Sequence, residues 1–253
     1  MGKIVKKTLS ILLALVLGGS ALVFAMDQAA ESETYSWRYK MTVEVNTPEG
    51  VKTGSAVRAM GNNRNISFPV EARNPGEVTG EAVVVDLGER GVLFALIAHN
   101  SDLEFYGTFP TPNGGGSETA EGYKYYASLP VGTKASIGTE RYIRLVTFKD
   151  MDDPKSVELV YDKEICSWAK EPKEECDGRK GLYTVANRFE ELFGEGVGLK
   201  DITLEITDEP MTVGVVDKFL PWLKNIVSNI DGTKITSSNQ LSNTLHSGNF
   251  KRK

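Results

Sequence analysis

The chain has 253 residues, with 29 Lys and Arg against 34 Asp and Glu and a net charge of −5. Lys3, Lys6 and Lys7 give residues 1–26 a charge of +3, so everything beyond them carries −8. An acidic body of that kind excludes sequence-independent nucleic-acid binding, which is driven by Lys and Arg on phosphates, and a broad electrostatic grip on anionic lipid.

Residues 1–7 hold three lysines and no acid, and residues 8–26 then run without a charge. Basic, apolar, then polar is the order of a secretory signal or a membrane anchor. Lysines stay on the cytoplasmic side, so the chain after Asp27 is expected outside. As a helix the apolar run spans about 28 Å, just enough for a hydrocarbon core of roughly 30 Å. Gly18-Gly19-Ser20 interrupts it, and Val23-Phe24-Ala25 offers a cleavage site. Signal anchor and cleaved signal peptide both stay open at this point. No Cys follows the run, which argues against a lipoprotein anchor.

Residues 27–34 are a polar spacer. Trp37, Tyr39, Met41, Val43 and Val45 then alternate with Arg38, Lys40, Thr42 and Glu44. Period two predicts a half-buried strand. Asn46-Thr47-Pro48-Glu49-Gly50 is a turn, and residues 51–60 read as the returning strand of a hairpin. Residues 82–87 and 92–97 are two apolar strands around Gly88-Glu89-Arg90-Gly91. Their near-continuous apolarity predicts burial on both faces, at the centre of the fold. A loop follows with Gly114-Gly115-Gly116, and Ser117 is placed to cap a short helix holding Tyr123, Tyr125 and Tyr126. Residues 141–149 predict a strand, and 157–161 read equally as strand or helix. Val185, Phe189, Leu192 and Phe193 fall at helical spacing, stopped by Gly194. Ile202, Leu204 and Ile206 alternate with polar residues in another strand. Asp208 and Pro210 read as the cap and first turn of a helix through Val213, Val216 and Leu220, which Pro221 restarts through residues 222–230. From residue 231 to 253 the chain is rich in Ser, Asn, Thr and Lys and reads as disordered.

The result is an α+β domain, mostly antiparallel β with a few short helices, over residues 35–230, preceded by one N-terminal hydrophobic helix.

Cys166 and Cys176 are the only cysteines. In an oxidising compartment an isolated pair is most simply a disulfide. Here it would staple a Lys-, Glu- and Pro-rich stretch at about 164–181. Neither His99 nor His246 lies near it in sequence, which argues against a metal site there.

Other candidate chemistry is sparse. Asp150, Asp152 and Asp153 cluster carboxylates as a hard cation requires, but a Ca²⁺ helix-loop-helix counted from Asp150 needs Gly where Lys155 stands and Glu where Tyr161 stands. Asp before Pro154 is also a common turn and cap. His99, with Asn100, Ser101 and Asp102, follows the most apolar strand. Neighbours on a strand face opposite sides, so the run cannot itself be a triad. Residues 113–117 could wrap an anion with backbone N–H groups, but they lack the ending of a phosphate loop. The aromatics Tyr35, Trp37, Tyr39, Tyr123, Tyr125 and Tyr126 line a groove or fill a core. Trp222 belongs either at a membrane interface or, more simply, packed on the sheet. No cofactor is implied.

Several segments together resemble an uncharacterised family of bacterial, chiefly alphaproteobacterial, proteins with one N-terminal membrane segment and an exported domain. They are Trp37-Arg38-Tyr39-Lys40, Thr42-Val43-Glu44-Val45 with Thr47-Pro48-Glu49-Gly50, residues 80–88, Tyr125-Tyr126-Ala127-Ser128-Leu129-Pro130, residues 202–208 and Leu220-Pro221-Trp222-Leu223. The likeness spans most of residues 35–223, and it carries no activity or catalytic residue. It implies a retained helix, hence an inner-membrane tether through residues 8–26 with the domain on the periplasmic side; the alternative is a soluble periplasmic or secreted protein after cleavage. Against that family the Cys-bearing stretch looks like an insertion. The reading that results is an exported binding or scaffolding domain with an envelope protein as partner. The alternatives are an envelope hydrolase with a site near His99 or the acidic run at 150–153, and an accessory subunit of an envelope complex.

Overall fold

A computed structural model describes residues 35–61, 78–97, 102–112, 119–137, 143–165, 182–226, 229–232 and 240–252. The period-two segment forms strand β1 (Ser36–Thr47), whose odd-numbered residues from Trp37 to Thr47 are buried. It pairs antiparallel with β2 (Gly50–Gly61) from Ser36 opposite Gly61 to Thr47 opposite Gly50. The two-residue tip, Pro48-Glu49, closes because the Thr47 hydroxyl donates to the Gly50 carbonyl at 2.7 Å and Gly50 takes φ 118°, a backbone that glycine adopts without steric cost. On its other side β1 pairs with β10 (Gly198–Ile206), and β10 pairs with the short β6 (Lys134–Ser136). This first sheet has the order β2-β1-β10-β6.

A second antiparallel sheet runs in chain order: β4 (Val83–Asp86), β5 (Val92–Ala95), β7 (Leu145–Phe148), β8 (Val157–Ile165) and β9 (Leu182–Asn187). Tyr39, Met41 and Val43 of β1 and Leu204 of β10 pack against Val83, Val85, Leu93, Ala95 and Leu145 in one core between the sheets. The opposite face of the second sheet is also covered. Phe94, Leu96, Val146 and Phe148 meet Val216, Leu220, Leu223, Leu245 and Phe250 from the C-terminal quarter of the chain. β5 thus sends alternate side chains into two cores, as its unbroken apolarity implied. Its partner is less enclosed, since Val84 is only half-buried.

The segment after β10 departs from the expected helix. Only α4 (Val216–Phe219) and a 3₁₀ turn over Pro221–Asn225 are helical. Residues 207–215 form a non-helical strap instead. Glu81, on the two-residue strand β3 (Gly80–Glu81), explains how the strap is held. Its buried carboxylate accepts from the backbone N–H groups of Gly214, Val215 and Val216 at 2.5, 2.8 and 3.1 Å. Trp222 packs on the second sheet, edge-on to Phe148, and its indole N–H donates to the Met151 carbonyl at 2.8 Å.

The C-terminal residues expected to be disordered are ordered over 240–252. They form α5 (Gln240–Thr244), α6 (Ser247–Phe250) and β11 (Lys251–Arg252), the last paired with β3. The polar composition concealed two anchors, Leu245 and Phe250, which are 1% and 0% exposed. Backbone bonds reinforce them: Ile97 N–H donates to the Asn249 carbonyl and Ala82 N–H to the Phe250 carbonyl, both at 2.7 Å. Residues from Tyr35 to Lys253 accordingly make one unit.

Three smaller differences concern helices. α1 (Asp102–Thr108) follows β5. α2 (Ala120–Ala127) is capped by Thr119, whose hydroxyl accepts from Gly122 N–H at 3.1 Å, two residues beyond the expected Ser117. α3 (Phe189–Phe193) ends at Gly194 as its spacing implied, while Val185 lies in β9. The ambiguous segment at 157–161 is strand. The hydrophobic segment at 8–26, His99, the glycine run at 113–117 and both cysteines lie outside the described residues. Among the described residues, no helix is long and apolar enough to cross a membrane.

Candidate functional site

A cleft of about 550 Å³ opens at the end of the first sheet. Its origin is a mismatch in strand length. β10 stops at Ile206, opposite Tyr39, while β1 continues back to Ser36. After a last backbone bond from Thr207 N–H to the Arg38 carbonyl, the strap leaves the sheet. It crosses to the far edge of β2, where Thr212 bonds Val57 through both its amide and its hydroxyl. Glu209 meets Lys40 at 2.5 Å on the way, which puts the crossing on the outer face of the sheet. Ser36, Trp37 and Arg38 therefore line one side of the cleft, and Thr207, Asp208, Pro210 and Met211 of the strap another.

The third wall is the end of α2 and the turn after it: Tyr126, Ala127, Leu129 and Val131. That turn is fixed to β10 by Gly132 N–H donating to the Ile206 carbonyl at 2.8 Å and Ile206 N–H donating back to Thr133 at 2.9 Å. The fixed turn leaves Val131 64% exposed, and Met211 across the cleft is 39% exposed. These are two of the four large apolar side chains that stand out from the described surface.

Under the cleft lies an aromatic cluster. Trp37 stacks at 5.4 Å from Tyr126 and 5.7 Å from Phe105. The Trp37 indole N–H and the Tyr126 hydroxyl are both buried without a hydrogen-bond partner among the described residues. Such groups usually find one, because an unmet buried donor costs about 1–3 kcal/mol. Burial, with a smaller push from Tyr125, raises the Tyr126 phenol to about 12, so it remains a neutral donor. The aromatics of β1 and α2 thus serve both readings: Tyr39 and Tyr123 are core, while Trp37 and Tyr126 are core and also line the cleft.

Arg38 differs from every other described arginine. Arg90 pairs with Glu49, Arg144 with Asp162, and Arg188 with Glu158 and Glu191. The fully buried Arg58 donates to the carbonyls of Glu81 and Ala95, and Arg252 donates to that of Gly248. Arg38, half-buried and on the cleft lining, has no such partner among the described residues.

The acidic run does something else. Asp150 accepts from Asp152 N–H and Asp153 from Lys155 N–H, both at 2.9 Å, and Asp153 caps a 3₁₀ turn over Pro154–Ser156. Ser156 closes the loop by donating to the carbonyls of Asp150 and Asp153. The Asp150 and Asp153 carboxylates thus each accept from the backbone of their own loop. Among the described residues, no three His, Cys, Asp or Glu side chains gather as a metal site would need.

Sequence reasoning missed the cleft residues Arg38, Leu129, Val131 and Met211. A cation on the solvent face of a strand is ordinary; its lack of a partner is visible only in three dimensions. The exposed Val131, after Leu129-Pro130, was the one local signal. Comparison of the chain with protein-family models, with curated proteins and with solved structures finds no match in any of the three.

Proposed function

We propose that this chain is an envelope protein, tethered to the inner membrane by residues 8–26, whose periplasmic domain binds a small ligand in the cleft beside Arg38. The charge order of the N-terminus supports the tether and the side, and the resemblance to bacterial single-segment envelope proteins supports retention of the helix. One observation carries the binding reading. The cleft has the volume of a small-molecule site, and buried donors with no partner lie among the residues that line it. Exposed Val131 and Met211 at its rim add the apolar contact such sites use. The engagement of Asp150 and Asp153 with the backbone amides of their own loop favours a binder over a hydrolase at that place. Cys166 and Cys176, bridged in the periplasm, staple a local insertion and take no part in binding.

Native mass spectrometry of the protein purified from its own membranes tests this. A bound small molecule is expected, and Ala127→Trp, an exposed position on the cleft wall, should abolish it. The same mass with and without the substitution, equal to the bare chain, rejects the reading. Alkaline phosphatase fused after residue 60 should be active; an inactive fusion rejects the compartment.

A further inference from the structure

We infer that the cleft selects a carboxylate: a small apolar-bodied molecule whose single anionic head is held by the Arg38 guanidinium. This rests on the ligand-site reading above and adds the chemical class.

Five donors in a plane match a carboxylate in a two-point pair, and each such bond is stronger than a neutral one. The other described arginines with carboxylate partners find them inside the molecule. Arg38 is half-buried and so has lost part of its water, yet no described residue replaces it. Ser36 lies two residues back on the same face of β1 and brings a hydroxyl to the same wall. Beyond these groups the rim is apolar, with Leu129, Val131 and Met211. Asp208 also lines the cleft, exposed toward solvent. Its negative charge, in a chain whose body is already acidic, works against a doubly charged phosphate more than against a carboxylate. A single anionic charge on a hydrophobic body satisfies Arg38 at the least cost from Asp208.

Three probes with one body separate the possibilities: 2-naphthoate, the neutral 2-naphthamide and 2-naphthyl phosphate. Each is titrated calorimetrically into the full chain held in lipid nanodiscs, with protein-free discs as the blank. 2-Naphthoate should bind at one site and the other two more weakly. Arg38→Ala should weaken 2-naphthoate about tenfold or more, the loss of a charge-assisted pair, and 2-naphthamide by less than about twofold. Arg38→Lys, which keeps the charge without the fork, should fall between. The Arg38 guanidinium makes no bond among the described residues, so these variants should keep the wild-type fold, checked by circular dichroism. Equal affinity for the naphthoate and the amide, or equal loss of both in Arg38→Ala, overturns the carboxylate class and leaves the ligand site standing. Tighter binding of the phosphate overturns it in favour of phosphate. Binding by none of the three also overturns the class, and the mass measurement on Ala127→Trp then decides the site independently.

Discussion

Replacing Glu81 with alanine removes the carboxylate that holds the N–H groups of Gly214, Val215 and Val216. Val216 is fully buried, so its amide loses its partner with no water to take over, at about 1–3 kcal/mol. Gly214 and Val215 are half-exposed and recover part of their loss from solvent. The vacated carboxylate volume adds little, since the strap can settle into it. A total near 3 kcal/mol follows, large for one residue. Glu81→Gln, which keeps the shape but offers one acceptor oxygen, should cost roughly half as much. Urea unfolding followed by tryptophan fluorescence measures both, with a lower midpoint and an unchanged slope as the sign of a pure stability loss. Hydrogen exchange should show the strap at 207–216 opening before either sheet. If Glu81→Ala shifts stability by less than about 0.5 kcal/mol, the ordinary range of a surface change, the carboxylate does not hold the strap and the wall of the cleft has been misassigned.

Gly54→Ala should destabilise by about 1–3 kcal/mol in the same assay, because the new methyl would lie 2.0 Å from the Val84 carbonyl oxygen and the backbones of β2 and β4 must part; an unchanged midpoint would mean these strands do not touch there. The Arg90 fork holds the Glu49 carboxyl down at about 2, against an ordinary 4.5. A depressed carboxylate contributes stability that is complete above about pH 4.5 and is lost as pH falls toward 2. Glu49→Gln should therefore flatten the acid limb of the stability profile over that window, and an identical limb in both proteins would show that the pair is not formed in solution.

Much of the β architecture was legible, for a physical reason. Period two in residues 37–45 and 202–206 requires one wet and one dry face, which is where β1 and β10 sit in the first sheet. The unbroken run at 92–97 has no wet face, and Phe94 is 0% exposed between Phe148, Phe219 and Phe250. What misled was composition where a few long-range contacts decide. Residues 240–252 look too polar to order, yet Leu245 and Phe250 fill places in the second core and backbone hydrogen bonds reinforce them. Asp208 and Pro210 carry real helix-start signals, but Glu81, more than a hundred residues earlier, takes the amides at 214–216 and delays the helix to Val216. The cleft was least legible. It depends on where β10 ends relative to β1 and on which arginine is left without a partner, and neither is a property of any local segment.

The chain's three tryptophans allow the most direct test of the ligand site. In the full chain labelled with ¹⁵N-tryptophan, each indole N–H gives one signal, assigned by Trp37→Phe and Trp222→Phe. On saturation with 2-naphthoate, or with the molecule released from the protein purified from its own membranes, the Trp37 signal should move, because its N–H lacks a partner and its ring lines the cleft. The Trp222 signal should stay, since its N–H is committed to the Met151 carbonyl in the other core. A Trp37 signal that does not shift while ligand is bound, or one that shifts no more than Trp222, would contradict the cleft as the site.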